Sequence, residues 1–109
     1  MLERYIKFLN KNKRLVGFAG WKIYVATTPL KNTSDLARVY PERIDKTLRM
    51  QLSQEFFDDF KLTREKKEIL FHELVHGRVA LATAQLRDQR IIIEEDMVND
   101  LTRGYMDKD

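Results

Sequence analysis

The chain predicts an α+β fold, a small antiparallel sheet packed on a long helix with further helices at either end, on three observations. Thr47 to Ser53 places Leu48, Met50 and Leu52 at alternate positions, the period of a strand with one buried face. From Thr63 to near Asp88 the apolar residues Ile69, Leu70, Leu74, Val75, Leu81, Ala82 and Leu86 recur at helical spacing. The two ends of the chain show the same helical spacing, through Leu2, Tyr5, Ile6 and Leu9 and through Ile93, Met97, Val98, Leu101 and Tyr105.

Taken in order, Met1 to Asn12 forms the first helix. Leu15 to Thr27 is rich in β-branched and aromatic residues but is interrupted by Gly17 and Gly20, which predicts a turn or bulge feeding a strand at Trp21 to Thr27. Pro29 and the run Lys31-Asn32-Thr33-Ser34-Asp35 mark a loop. Leu36 to Ile44 alternates in places, and Pro41 makes it an edge strand or a broken one, while Asp45-Lys46 turns the chain into Thr47 to Ser53. Thr63 is placed to cap the long helix, with Glu65 in its first turn. Phe56, Phe57, Phe60, Trp21 and Tyr24 are assigned to the core.

Composition limits the chemistry. The 109 residues carry 20 Lys and Arg against 17 Asp and Glu, a formal charge of +3, and no cysteine. Disulfides, thiolate metal sites and cysteine nucleophiles are excluded, so a metal can be held only by imidazole and carboxylate. No repeat or linker divides the chain, which reads as one domain of residues 1–109. Charges interrupt the apolar N-terminal residues and no apolar run is long enough for a membrane helix, so the expected setting is soluble and cytoplasmic, without a membrane partner. The basic run Lys7, Lys11, Lys13 and Arg14 reads as a solvated face, and nucleic acid is not an expected partner.

Both histidines fall in one stretch, His72-Glu73-Leu74-Val75-His76, an HExxH sequence within the long helix. The i, i+4 spacing puts both imidazoles on one helix face, where they can share a metal, while Glu73 can direct its carboxylate at a metal-bound water. A hydrolytic zinc site takes three protein ligands and leaves one position open. With no further His and no Cys, the third ligand must be a carboxylate, from Asp88, Glu94, Glu95, Asp96 or Asp100. On an unbroken helix Glu95 would lie about 28 Å from His76 at 1.5 Å per residue, so the chain must reverse near Asp88-Gln89-Arg90 to bring Glu94 or Glu95 beside the histidines. Glu94 shares helical spacing with Met97, Val98 and Leu101, whereas Glu95 has Asn99 one turn later as a hydrogen-bonding neighbour.

This arrangement resembles the gluzincin metallopeptidases, in which HExxH on one helix is completed by a Glu on the next, often within a Glu-x-x-x-Asp pattern. Glu95-Asp96-Met97-Val98-Asn99 matches that pattern with Asn in place of Asp, and 18 residues separate His76 from Glu95, as in thermolysin-like members. At this length the chain is similar to minigluzincins and to small metallopeptidases of phages and other mobile elements, over about residues 21–103. The metzincin and SprT-like branches fit less well, because each needs a third histidine.

The resemblance implies a zincin core, a Zn²⁺ ion on His72, His76 and Glu95 with Glu94 as the alternative, and peptide hydrolysis with Glu73 as general base. It implies an oxyanion donor as well, for which Tyr105 and Arg103 are the candidates. A peptide substrate is expected to add as an extended strand to Thr47 to Ser53. Gly77, which weakens a helix by about 1 kcal/mol relative to Ala, is accounted for either by close approach of the glutamate helix or of substrate, or by simple tolerance on the helix surface. The tail, Gly104 to Asp109, is a candidate for covering the site. The alternative to an active peptidase is a latent or inactive binding module on the same scaffold.

Overall fold

The structure, a computed structural model, describes residues 1–82 together with 98, 99, 102 and 103. Helix α1 (Glu3–Asn12) buries Tyr5, Phe8 and Leu9 along one face. A 3-10 turn at Lys13–Val16 continues it and stops at Gly17, whose φ of 88° is the left-handed conformation that glycine adopts without a Cβ penalty. Strands β1 (Lys22–Val25), β2 (Ala37–Glu42) and β3 (Thr47–Leu52) follow, then a short helix α2 (Glu55–Asp58) and the long helix α3 (Arg64–Ala82). Thr63 caps α3 as its sequence position predicts, its Oγ1 accepting from the Lys66 amide at 3.2 Å.

The sheet is mixed rather than antiparallel, in the order β1-β3-β2. β2 and β3 form the antiparallel hairpin expected from the turn at Asp45-Lys46, where Lys46 takes a φ of 51°. β1 instead runs parallel to β3, from Lys22 opposite Thr47 to Val25 opposite Met50. The cause lies in the connection after β1. Ala26 and Leu30 keep donating to the Met50 and Leu52 carbonyls, and the chain then turns through Asn32, at φ 57°, to start β2 on the far side of β3. β3 is therefore the central strand and cannot accept a substrate strand, contrary to the sequence expectation. Among the described residues, the edge next to α3 that no strand covers belongs to β2, the strand that Pro41 marks as an edge or broken one.

Alternation sorts the sheet's two faces. Leu48, Met50 and Leu52 are buried towards the helices, with Arg49 turned outward. Ile23 and Val25 share the inward face, so Tyr24 between them points away and is 50% exposed, a departure from its expected core role. Phe56 is fully buried, and Trp21, Phe57 and Phe60 pack against the core, as expected. Val98 joins the same cluster as Leu70, Leu74 and Val75, so the chain has returned to the core by residue 98.

A buried cation fastens α1 to the start of α3. The Lys66 ammonium, on a residue only 7% exposed, donates to Asp59 Oδ1 at 2.6 Å and to the Tyr5 hydroxyl at 3.1 Å, while Tyr5 donates to the Phe56 carbonyl at 2.8 Å. Burial pulls the Lys66 pKa down, but hydrogen bonds to Asp59 and Tyr5 outweigh it and leave the ammonium above its ordinary value. No helix among the described residues is long and apolar enough to cross a membrane.

Candidate metal centre

The α3 sequence buries Leu70, Phe71, Leu74, Val75, Gly77 and Val79, a broad stripe that turns the helix onto the sheet and α1. His72, Glu73 and His76 flank this stripe and are each half-buried. The two imidazoles, four residues apart, stand edge to face with ring centroids 4.7 Å apart and planes at 70°. One ligand atom from each of His72, Glu73 and His76 lies within 4.8 Å of the others, and the three side chains could hold a metal ion. Two imidazoles beside a carboxylate suit a borderline-soft divalent cation.

These side chains open into a groove of about 620 Å³. One wall is α3, through Glu65, Glu68, Ile69, His72, Glu73 and His76, and the other is the approach to β2, Ser34 to Ala37. A second hollow of about 400 Å³ shares Glu73 and His76 and continues along β2 past Val39 and Tyr40. The edge strand thus runs beside both histidine-bearing turns. Its main chain is orientated for use: Leu36 accepts from the Ser53 amide, so the even-numbered positions face β3, and Pro41, which has no N–H for a ladder, belongs to the other set. By period two, Ala37 and Val39 direct their N–H and C=O groups towards the open edge.

Carboxylates dominate the groove. Asp35, Glu65 and Glu68 line it together with Glu73. Asp35 is engaged by the Arg38 guanidinium at 2.7 Å, and Arg38 also donates to Thr33 Oγ1 at 3.1 Å. That pairing raises the Arg38 pKa, first through Asp35 and then through Tyr40. Glu68, four residues before His72 on the same helix face, could have been found by spacing alone. Asp35 reaches the groove only through the loop that crosses the end of β3, which no local pattern announces.

Gly77 does mark a close approach, but its partner is the sheet. A methyl group there would stand 3.3 Å from both Val39 Cγ2 and Leu48 Cδ1, and 3.5 Å from Phe18 Cζ. Glu94, Glu95 and Tyr105, with Asp88, Asp96, Asp100 and the tail from Gly104, lie outside the described residues. Arg103 is helical and exposed. No protein-family model matches the chain, and no curated protein or solved structure gives a significant match.

Proposed function

We propose that this chain is a zinc-dependent peptidase of the gluzincin type, with the substrate lying as an extended strand along β2. What carries the proposal is the juxtaposition of the His72-Glu73-His76 cluster with the groove walled by the open edge of β2. His72 and His76 supply two ligands, and Glu95 is proposed as the third, with Glu94 as the alternative. A zinc ion held there supplies an activated water and polarises the scissile carbonyl.

The protein's own groups do the rest. Ala37 and Val39 pair with the substrate main chain and fix its carbonyl across the groove from α3. Glu73, adjacent in sequence to a ligand and facing the same groove, accepts the proton of the attacking water and passes it to the leaving amine. Tyr105 is proposed to donate a hydrogen bond to the oxyanion. The carboxylates of Asp35, Glu65 and Glu68 favour peptides with Lys or Arg near the scissile bond.

The test pairs zinc content with peptide hydrolysis for wild type and Glu73→Gln. The expected result is stoichiometric zinc in both proteins and a loss of hydrolysis in Glu73→Gln of about 10²–10⁴-fold, the usual contribution of a general base. A wild type that takes up no zinc overturns the proposal. Zinc uptake without hydrolysis in either protein replaces the peptidase with a metal-dependent binding module.

A further inference from the structure

The sheet has a second, solvent-facing surface on the side away from α3. Tyr24, Arg49 and Tyr40 stand at one level of the register, on β1, β3 and β2 respectively. The two tyrosines are 50% and 46% exposed, and the Arg49 guanidinium carbon lies 5.7 Å from the centre of the Tyr24 ring. With strands about 4.8 Å apart, the row sets two aromatic rings about 10 Å apart with a guanidinium between them. Arg38 is tied to Asp35, so among the described strand residues Lys22 and Arg49 are the cations this face offers, against the carboxylate of Glu42.

We propose that this face binds single-stranded nucleic acid, through stacking of bases on Tyr24 and Tyr40 and contact of Arg49 and Lys22 with phosphates. Every base has a π-face that an exposed ring can stack on, and unpaired bases are free to splay onto an open sheet. An acidic peptide would satisfy the two cations and leave both rings unused. A second copy of the chain would set Arg49 against Arg49 on a face whose further exposed or half-buried strand residues, Gln51 and Glu42, are polar. Duplex hides its base faces. The surface is distinct from the basic run of α1, and it meets the hollow beside His76 only at Tyr40 on the edge strand.

The test is fluorescence anisotropy of labelled oligo(dT) and oligo(U), against a duplex of the same length, with the full chain at low salt. Saturable binding of the single strands and weaker binding of duplex are expected. Tyr24→Ala and Tyr40→Ala should each weaken binding roughly 5- to 150-fold, the range that base stacking spans, while Tyr24→Phe and Tyr40→Phe retain it. Arg49→Ala should reduce the slope of log affinity against log salt by about one. Should the alanine variants fold poorly, Tyr24→Thr and Tyr40→Thr remove the rings with a residue that favours strands. No binding, equal affinity for duplex, or tyrosine variants that bind like wild type would overturn the proposal, as would preferential capture of an acidic peptide or self-association through this face. Glu73→Gln leaves both tyrosines and both cations in place and should bind as wild type does, which separates this outcome from that of the hydrolysis test.

Discussion

Gly77 of the histidine-bearing helix rests against Val39 of the edge strand, with only 3.3 Å between Val39 Cγ2 and the place a Cβ would occupy. His76 precedes Gly77 and Val39 borders the same hollow as His76, so this one contact sets the width of the groove beside the second histidine. Two opposed terms decide the effect of Gly77→Ala. Helix propensity gains about 1 kcal/mol, and crowding Val39 and Leu48 costs about the same or slightly more. Stability within about 1 kcal/mol of wild type is expected, whereas Gly77→Leu should destabilise by at least ~2 kcal/mol and weaken zinc binding by displacing His76. Urea denaturation with zinc titration measures both, and a Gly77→Leu protein as stable as wild type would refute the tight contact.

The outward main chain of Ala37 and Val39 makes a second prediction about substrate. Each hydrogen bond in strand addition contributes about 0.5–1.5 kcal/mol net, roughly 2- to 12-fold in affinity. A peptide N-methylated at the positions that would pair with Ala37 and Val39 should therefore bind Glu73→Gln more weakly by that factor per bond. N-methylation at the intervening positions should have little effect. Competition binding with the two peptide series measures this, and indifference to both patterns would remove β2 from the substrate site.

The sheet shows why part of the fold was legible in sequence and part was not. The alternation of Leu48, Met50 and Leu52 and the proline of β2 are local signals, and both the buried face of β3 and the edge position of β2 follow from them. Which strand lies beside which is not local. It depends on the residue 26–36 connection crossing the end of β3, and that crossing makes β1 parallel and β3 central. The same holds at the candidate metal site: the i, i+4 histidines declare themselves, but Asp35 and the Val39 contact depend on that crossing. Lys66 was illegible for another reason, since nothing in its neighbourhood announces a cation whose partners, Asp59 and Tyr5, come from a loop and from α1.

That buried cation gives a pH prediction. The Lys66 hydrogen bond, and then the Lys61 amide, hold the Asp59 pKa below its ordinary value of 3.8. A depressed carboxylate stabilises the fold above its unfolded pKa, and the contribution is lost as pH falls through the folded value. Asp59→Asn should be less stable than wild type at neutral pH, because the Lys66 ammonium then lacks its anion. The gap should narrow as pH falls through and below 3.8. Urea midpoints across that range measure it, and a gap that is constant with pH would mean that the charge on Asp59 contributes nothing.

The third ligand separates by mutation. On the helix that the sequence predicts, neighbouring residues are about 100° apart, so only one of Glu94 and Glu95 would face His72 and His76. The proposed assignment predicts that Glu95→Ala lowers zinc affinity by at least 10-fold, with a parallel loss of hydrolysis, while Glu94→Ala leaves zinc affinity within about twofold of wild type. Asn99→Ala, four residues on from Glu95 in sequence, should weaken zinc by a smaller factor, because the proposed assignment makes it an orienting partner rather than a ligand. Isothermal titration with zinc on the three variants decides the matter. Loss of affinity in Glu94→Ala alone moves the ligand by one residue, and loss in neither assigns the third position to a groove carboxylate, with Glu68 and Asp35 the first to substitute.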